Sequence, residues 1–533
     1  MSTSFPDDGS VQPDSDSSVN SGGKFRPSEP KPSGLSLRGL FTEAVFVGAE
    51  DIQVTRCKDR ASKCQPGDVF IPRHTAAGDE HDRVEEAIRR GAVAVVAERI
   101  LPVSVPQCLV ENTQEAFAQV CQQLAGDPSQ RMLTIGIVGA HGKSTTALYV
   151  ASMLKHLGGA VAYYTSLGAS DSTECDRTAT RAPGATRLAE WMKRADESGS
   201  PAAVIELTPA MLCNRVTSGI EFDLVILTGM RGAQVSGGPS ARSLGQLLDQ
   251  LLNSLKSHGM LLFNADDAQA TTWADSCGCP AISYGLDAAE HVRAKRLSRM
   301  GAEQQLLITA GNMLMPLTLK TPGDHVARAA LAAVATAWMF DFSVPDAIAG
   351  TEKLQSIPGR LQRIEQSIET PIYVDDGETP DRVAVAAHAL RQHQQGPETI
   401  VIDLSCRLDA KWRQRMGEML DKACTKIVLT GTDLTPPAMQ SMAMDVLGGV
   451  ASPGRAQVIP DREKAIEWAI ENTQRGCLLL SGCGVRSWIN RDGQSVTDEM
   501  LAKAYLADKN SKKPLTFGIF PPSDPNAFFP VDA

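Results

Sequence analysis

Short apolar runs separated by amphipathic, helix-like stretches recur along most of this 533-residue chain, and no other property narrows its fold as much. The runs lie at 92–96, 203–205, 224–227, 260–263, 399–402, 426–429 and 477–480. They are apolar at consecutive positions, which suits strands buried on both faces in a parallel sheet covered by helices. The expected fold class is α/β. A chain this long exceeds what one core serves, and about 150 residues per domain points to three domains. Breaks fall near 128–131 and near 356–360, where Ile357-Pro358-Gly359 interrupts a helical pattern. The division expected is a tail at 1–36, units at 37–129, 130–357 and 358–515, and a second tail at 516–533. The first tail is rich in Ser, Pro, Asp and Gly and cannot offset the entropy of ordering, so it is expected to be disordered. The second, with Pro521, Pro522, Pro525, Pro530, Phe520, Phe528 and Phe529, is expected to be extended.

Composition excludes several roles. A net charge of −10 argues against a nucleic-acid partner, which a basic face would serve. No apolar run reaches the ~18 residues that cross a bilayer, and a polar N-terminus with no signal peptide points to the cytoplasm. The 12 cysteines lack the paired spacing of a zinc site and are expected to be reduced thiols; Cys277-Gly278-Cys279 reads as a loop.

The chemistry concentrates at Gly139-Ala140-His141-Gly142-Lys143-Ser144-Thr145, between the apolar run at 132–138 and a helical pattern beginning near Thr145. Backbone amides, a lysine and a hydroxyl converge there on a helix N-terminus, whose partial positive charge favours anions. Such a cradle suits the β- and γ-phosphates of a nucleotide: Lys143 adds a cation, and the Ser144 hydroxyl can ligate Mg2+. The strict P-loop spacing is not met, because Ile137 stands where the first glycine would fall.

From about Leu35 to Leu515 the chain resembles the Mur ligase family, most of all its tripeptide-forming members, which extend UDP-MurNAc-dipeptide. The segment 139-GAHGKSTT-146 is similar to that family's GTNGKTTT. Further matches, 66-PGDVFI-71, 91-GAVAVVAE-98, 264-NADD-267, 358-PGR-360, 379-TPD-381, 416-MG-417 and 461-DREKAI-466, follow in family order. The resemblance implies a small N-terminal α/β domain for a UDP-sugar, a central P-loop-type ATPase and a C-terminal Rossmann-like domain for an amino acid. It also implies an ATP- and Mg2+-dependent amide ligase that works as a monomer on a UDP-MurNAc-peptide and an amino acid through an acyl phosphate. Catalysis would fall to Lys143, Glu206 and Arg360. Nucleotide would be bound by Gly139, His141, Gly142, Lys143, Ser144, Thr145, Asn264, Arg360 and Asp375. Ser144 and Glu206 would hold the metal. Each residue also has a plainer reading: a solvated strand end for Glu206, a turn for Asn264, a surface arginine for Arg360 and a strand-end cap for Asp375.

The chain departs from the family in several blocks. Glu-Val-Ser-Ser-His becomes Glu206-Leu-Thr-Pro-Ala210, and the block that supplies a second metal ligand becomes 228-TGMRGAQVSGG-238, without an acidic or imidazole donor. The family's carbamylated lysine falls at Asp249, which as an anionic oxygen donor is a candidate hard-cation ligand or simply a solvated helix aspartate. Glu378 stands where a ring would face phosphates. The amino-acid motifs become 432-TDLTP-436 and 482-GCGVR-486, and a sugar-nucleotide motif becomes Arg181-Ala182-Pro183. Two readings of different kind follow: a working amide ligase of peptidoglycan synthesis, or a catalytically silent relative that binds nucleotide or precursor. Within the ligase class, a folylpolyglutamate- or cyanophycin-type enzyme shares the ATPase core.

Overall fold

The computed structural model describes residues 34–75, 78–176, 182–232, 243–300, 303–364, 370–393, 396–405 and 408–511. Residues 1–33 and 512–533, with most of the expected N-terminal tail and all of the C-terminal one, lie outside them, as do Arg181 and 233–242. Leu35–Ser36 pairs antiparallel with Gln53–Val54, and the adjoining Leu37 is fully buried.

Every apolar run named above falls in or overlaps a strand: Ala94–Ala97, Ala202–Glu206, Phe222–Leu227, Leu255–Asn264, Pro397–Asp403, Lys426–Thr430 and Cys477–Ser481. The strands build three main sheets. An N-terminal sheet of five has the order Val45–Val47, Gln107–Leu109, Ala94–Ala97, Val69–Phe70, Cys57–Lys58. A central sheet of eleven has a parallel core in which Leu133–Val138 lies between Ala202–Glu206 and Phe222–Leu227. It ends in the antiparallel meander Val292–Met300, Glu303–Ala310, Met313–Leu319. A C-terminal sheet of six, parallel except for its first pair, has Cys477–Ser481 between Ile372–Asp375 and Pro397–Asp403. The architecture is α/β, as the consecutive apolar positions require.

Helices cover both faces of the central sheet. On one face Lys143–Gly158 packs against Asp324–Met339, whose buried alanines at 327, 329, 330, 332, 333, 335 and 337 let the axes approach closely. Gly350 of Val344–Glu352 tightens this contact: a Cβ there would lie 2.7 Å from His156 Cβ. On the other face one continuous apolar cluster runs from Leu37, Val54 and Val69 of the N-terminal sheet through the helix Thr113–Leu124 to Val138, Ile205 and Leu227. No gap in the core separates the first two sheets. The C-terminal sheet has its own two clusters, one on each face.

Candidate phosphate-binding site

The carboxyl ends of Leu133–Val138, Ala202–Glu206 and Phe222–Leu227 open on one edge of the central sheet, where ligands gather in open α/β folds. From that edge the chain turns through 139–142 into the helix Lys143–Gly158, with Gly142 at its N-cap and φ +82°. Gly139 adopts φ +143°, and a Cβ there would meet Thr228 Oγ1 at 2.2 Å and the Gly229 carbonyl oxygen at 2.9 Å. Only glycine allows this backbone approach. Thr228 Oγ1 donates to the His141 carbonyl at 2.6 Å, so the neighbouring strand end supports the loop from below.

Ser144 and Glu206, far apart in sequence, meet here. Ser144 Oγ donates to Glu206 Oε2 at 2.8 Å, the Ser166 amide donates to the same oxygen at 2.8 Å, and the two serine hydroxyls lie 2.9 Å apart. Both Ser144 and Glu206 are buried, as is Thr145 on the same first turn. The Lys143 ammonium folds back over the loop and donates to the Gly139 carbonyl at 2.9 Å.

The C-terminal sheet adds the far wall. Gly359 turns the chain at φ +64°, and Arg360 forms an ion pair with Asp376, which also binds Arg382 Nη2 at 2.7 Å. Asp375 is buried with both oxygens on backbone amides, Oδ2 accepting from Leu361 and Oδ1 from Gly377. It therefore holds the turn that presents Arg360. Burial and the positive Arg382 pull the Arg360 guanidinium down to about 10, opposed by Asp375, Glu206 and Glu378. Glu378, which stands where a ring would face phosphates, thus acts on Arg360 and also on Arg486. Burial also lowers the Lys143 ammonium below the ordinary lysine value; Glu206 opposes this, while Arg382 and Arg360 reinforce it. The His141 imidazole is lowered by desolvation, then by Arg382 and Lys143. The site is crowded with cations that lack full compensation, an arrangement that an anion relieves.

This crowding sets a pH dependence. A bound phosphate chain raises the Lys143 pKa from its depressed free value. Affinity is therefore complete below that free value and falls as pH rises through it, with net proton uptake on binding in that window. Calorimetry of ATP binding in alkaline buffers of different ionisation enthalpy checks the sign; proton release would contradict it.

The remaining expected residues lie as follows. Asn264 is buried with both ends used: Nδ2 donates to the Thr228 carbonyl at 3.0 Å and Oδ1 accepts from the Asp266 amide at 3.1 Å. Asp267 accepts from the amides of Met230 and Arg231 and caps Ala268–Ala274. The Asn-Ala-Asp-Asp run thus clamps the 228–232 loop. Asp249 is not brought to the cradle. It lies exposed on the helix Leu244–Leu252, where its carboxylate accepts from Trp273 Nε1 at 2.9 Å. Of the second-metal block, 228–232 offers no acidic or imidazole side chain, and 233–238 lies outside the described residues. Sequence reasoning missed Ser166, Arg382 and Asp376. Arg382 follows the 379-TPD-381 match directly and could have been found; nothing in the pattern marks Ser166.

The two altered amino-acid motifs converge at the carboxyl edge of the C-terminal sheet. Fully buried Asp403 accepts through Oδ2 from Thr432 Oγ1 at 3.1 Å, Cys483 Sγ at 3.0 Å and Arg486 Nη2 at 2.8 Å. Substitutions that look unrelated in the sequence are mutually bonded in space.

A glycine-floored loop between a central parallel strand and a helix, faced by Arg360 and Arg382 of the C-terminal unit, defines the class: an α/β protein with a cation-lined loop at the carboxyl edge of its central sheet. Comparison with known proteins is more specific. Residues 137–337 match the Mur ligase middle domain and residues 359–484 the Mur ligase glutamate ligase domain, together more than half of the chain. The chain belongs to the Mur ligase family. It is 24% identical over 454 residues to the UDP-N-acetylmuramoyl-L-alanyl-D-glutamate–2,6-diaminopimelate ligase of Geobacillus thermodenitrificans, an alignment covering 83% of this chain and 93% of that one. A solved structure of a ligase with that same name superposes with a TM-score of 0.67 at 19% identity, covering 90% and 99% of the two chains. Folylpolyglutamate synthase of Mycobacterium tuberculosis, solved with ADP and AMPPCP, superposes with a TM-score of 0.54 at 13% identity, covering 75% of this chain and 96% of that one. Among the described residues no helix is long and apolar enough to cross a membrane.

Proposed function

We propose that this chain is an ATP-dependent amide ligase of peptidoglycan precursor synthesis that joins an amino acid to a UDP-MurNAc-peptide. The observation that carries the reading is the meeting of Lys143, the Ser144–Glu206 pair and Arg360 with Arg382 around one glycine-floored loop. In the reaction a substrate carboxylate oxygen attacks the γ-phosphorus of ATP, and ADP leaves. The amine then attacks the resulting acyl phosphate, expelling phosphate as the amide forms. Charge builds on the phosphoryl oxygens, and positioned cations supply most of the catalysis. Lys143 and the loop amides hold the β- and γ-phosphates, while Arg360, in the turn after Gly359, and Arg382, on the helix Pro380–His393, face them from the C-terminal unit. Asp375 and Asp376 are positioning residues that set the Arg360 turn and space the two guanidiniums.

The Ser144 hydroxyl and Glu206 carboxylate fit Mg2+: both are hard oxygen donors, buried and 2.8 Å apart, and would exchange their mutual hydrogen bond for the ion. Bound there, Mg2+ neutralises phosphate charge. Glu206 keeps its carboxylate aimed at this point through the Ser166 amide. We also propose that the three sheets are separate domains divided near 130 and 358, with sugar nucleotide, ATP and amino acid assigned to them in chain order.

A second reading, nucleotide or precursor binding without turnover, is favoured by the loss of acidic and imidazole donors at 228–232. A folylpolyglutamate-type activity is favoured less, since that likeness covers a smaller share of the chain. A phosphate-release assay on the purified chain with ATP, Mg2+, UDP-MurNAc-peptides and an amino-acid panel decides. Release is expected only when both acceptor and amino acid are present. ATP binding with no turnover on any acceptor overturns the ligase reading.

A further inference from the structure

A second cluster of chemistry-bearing side chains lies in the N-terminal unit, outside the phosphate-binding site. The hairpin His74–Thr75/Gly78–Asp79 pairs His74 with Asp79 across its strands. Asp79 then caps the short helical turn Glu80–Arg83, which carries His81. Two imidazoles and a carboxylate thereby converge, and each offers a ligand atom within 4.8 Å of the others. The His74 and His81 rings lie 5.4 Å apart, centroid to centroid.

We propose that His74, Asp79 and His81 form a binding site for a divalent cation of the zinc type. Nitrogen with carboxylate oxygen is the donor set that zinc and its neighbours prefer, whereas Mg2+ favours oxygen alone. Tetrahedral bonds of about 2.0–2.2 Å require ligand atoms about 3.3 Å apart. Asp79 Oδ1 lies 3.6 Å from His74 Nδ1 and 2.6 Å from His81 Nδ1, so small side-chain shifts reach that spacing.

One further observation supports the assignment. On the opposite side, Glu98 Oε2 lies 3.5 Å from His74 Nε2, while Glu98 Oε1 is anchored by the Thr113 amide and hydroxyl at 2.9 Å each. A carboxylate behind a histidine holds the ring in the tautomer that frees its other nitrogen for a metal. Arg99 Nη2, 3.5 Å from Asp79 Oδ2, leaves Oδ1 to face the histidines. Three protein donors leave one position of a tetrahedral ion for water or an anionic ligand.

The site is independent of the ligase reading, and its test does not use turnover. The full-length chain, carrying Cys277→Ser and Cys279→Ser to remove a thiol pair 3.3 Å apart, is stripped with chelator and titrated with Co2+ in excess Mg2+. One equivalent is expected, with visible ligand-field bands that Zn2+ abolishes. His74 is half-exposed, so His74→Ala leaves the core and the melting temperature unchanged while weakening Zn2+ binding at least 100-fold. Glu98→Gln weakens it 10- to 100-fold. ATP binding stays as in the parent in both variants. Zn2+ affinity unaltered in His74→Ala, or no binding at micromolar Zn2+ in the parent, overturns the proposal.

Discussion

Lys143→Met is expected to weaken nucleotide binding strongly while leaving the melting temperature equal to or above that of the parent chain. The two outcomes separate because the ammonium is poorly served without a ligand. It is buried, its pKa lies below the ordinary lysine value, and its hydrogen bonds go to two loop carbonyls, Gly139 and Ala140. Arg360 and Arg382 add like charge nearby. Exchanging the ammonium for an apolar group of similar length removes a desolvation cost from the free protein, a case of function held at the expense of stability. In the complex the same change strips a buried charge from its phosphate partner, which costs about 2–5 kcal/mol, or roughly 30- to 5,000-fold in affinity. Calorimetry with ATP and a thermal melt on one preparation test both halves. Tight binding in the variant, or a melt well below the parent's, would falsify this account of the cradle.

Asp498→Ala is expected to produce the largest stability loss of any single change in the C-terminal unit. Its partner Arg462 is wholly buried, with Nε on Asp498 Oδ1 at 2.8 Å and Nη2 on the Ser481 carbonyl at 3.2 Å. Trp488 Nε1 adds a bond to the same carboxylate at 3.2 Å. Burial works against the Arg462 charge, but Asp498, with Cys483 and Asp403, raises its pKa above the ordinary value. Removing the carboxylate strands a guanidinium in an apolar core, at a cost of about 3–5 kcal/mol. For a unit of this size that corresponds to a fall of the order of 10 °C in its transition. The double change Arg462→Met with Asp498→Leu is expected to recover most of the loss, because replacing both members of a buried ion pair by apolar groups is often neutral. Calorimetric scans of the single and double variants check this; equal destabilisation in the two contradicts it. The Arg462 of the 461-DREKAI-466 match is accordingly a structural residue.

Much of the fold was legible along the chain. Runs such as 224–227 and 477–480 are apolar at every position, and only a strand with helices on both faces hides all of those side chains, so the parallel sheets follow from local pattern. The cradle was legible for the same reason: Gly139 to Thr145 is contiguous, and its chemistry depends on a strand end and a helix start adjoining it. Asp249 shows what counting leaves open. Its spacing before Asn264 matched a family position, yet its carboxylate is bonded to Trp273, because helical phase and the neighbouring helix, not sequence distance, decide which way a side chain points.

Local order along the chain thus determined the strands, the glycine loop leading into the helix Lys143–Gly158 and the family to which the chain belongs. Only the packed molecule decided which side chains meet. Glu206 reaches Ser144 across parallel strands, and Arg360 and Arg382 act on Lys143 from a turn and a helix of the C-terminal unit. Asp403 ties together two motifs that look merely lost, and His74 comes to lie beside His81. The physical reason is that hydrogen bonds, charge effects and metal ligation act over a few ångströms through space. Hydrophobic periodicity sets each strand and helix, whereas the partners of a polar group are chosen when those elements dock and water is expelled from between them.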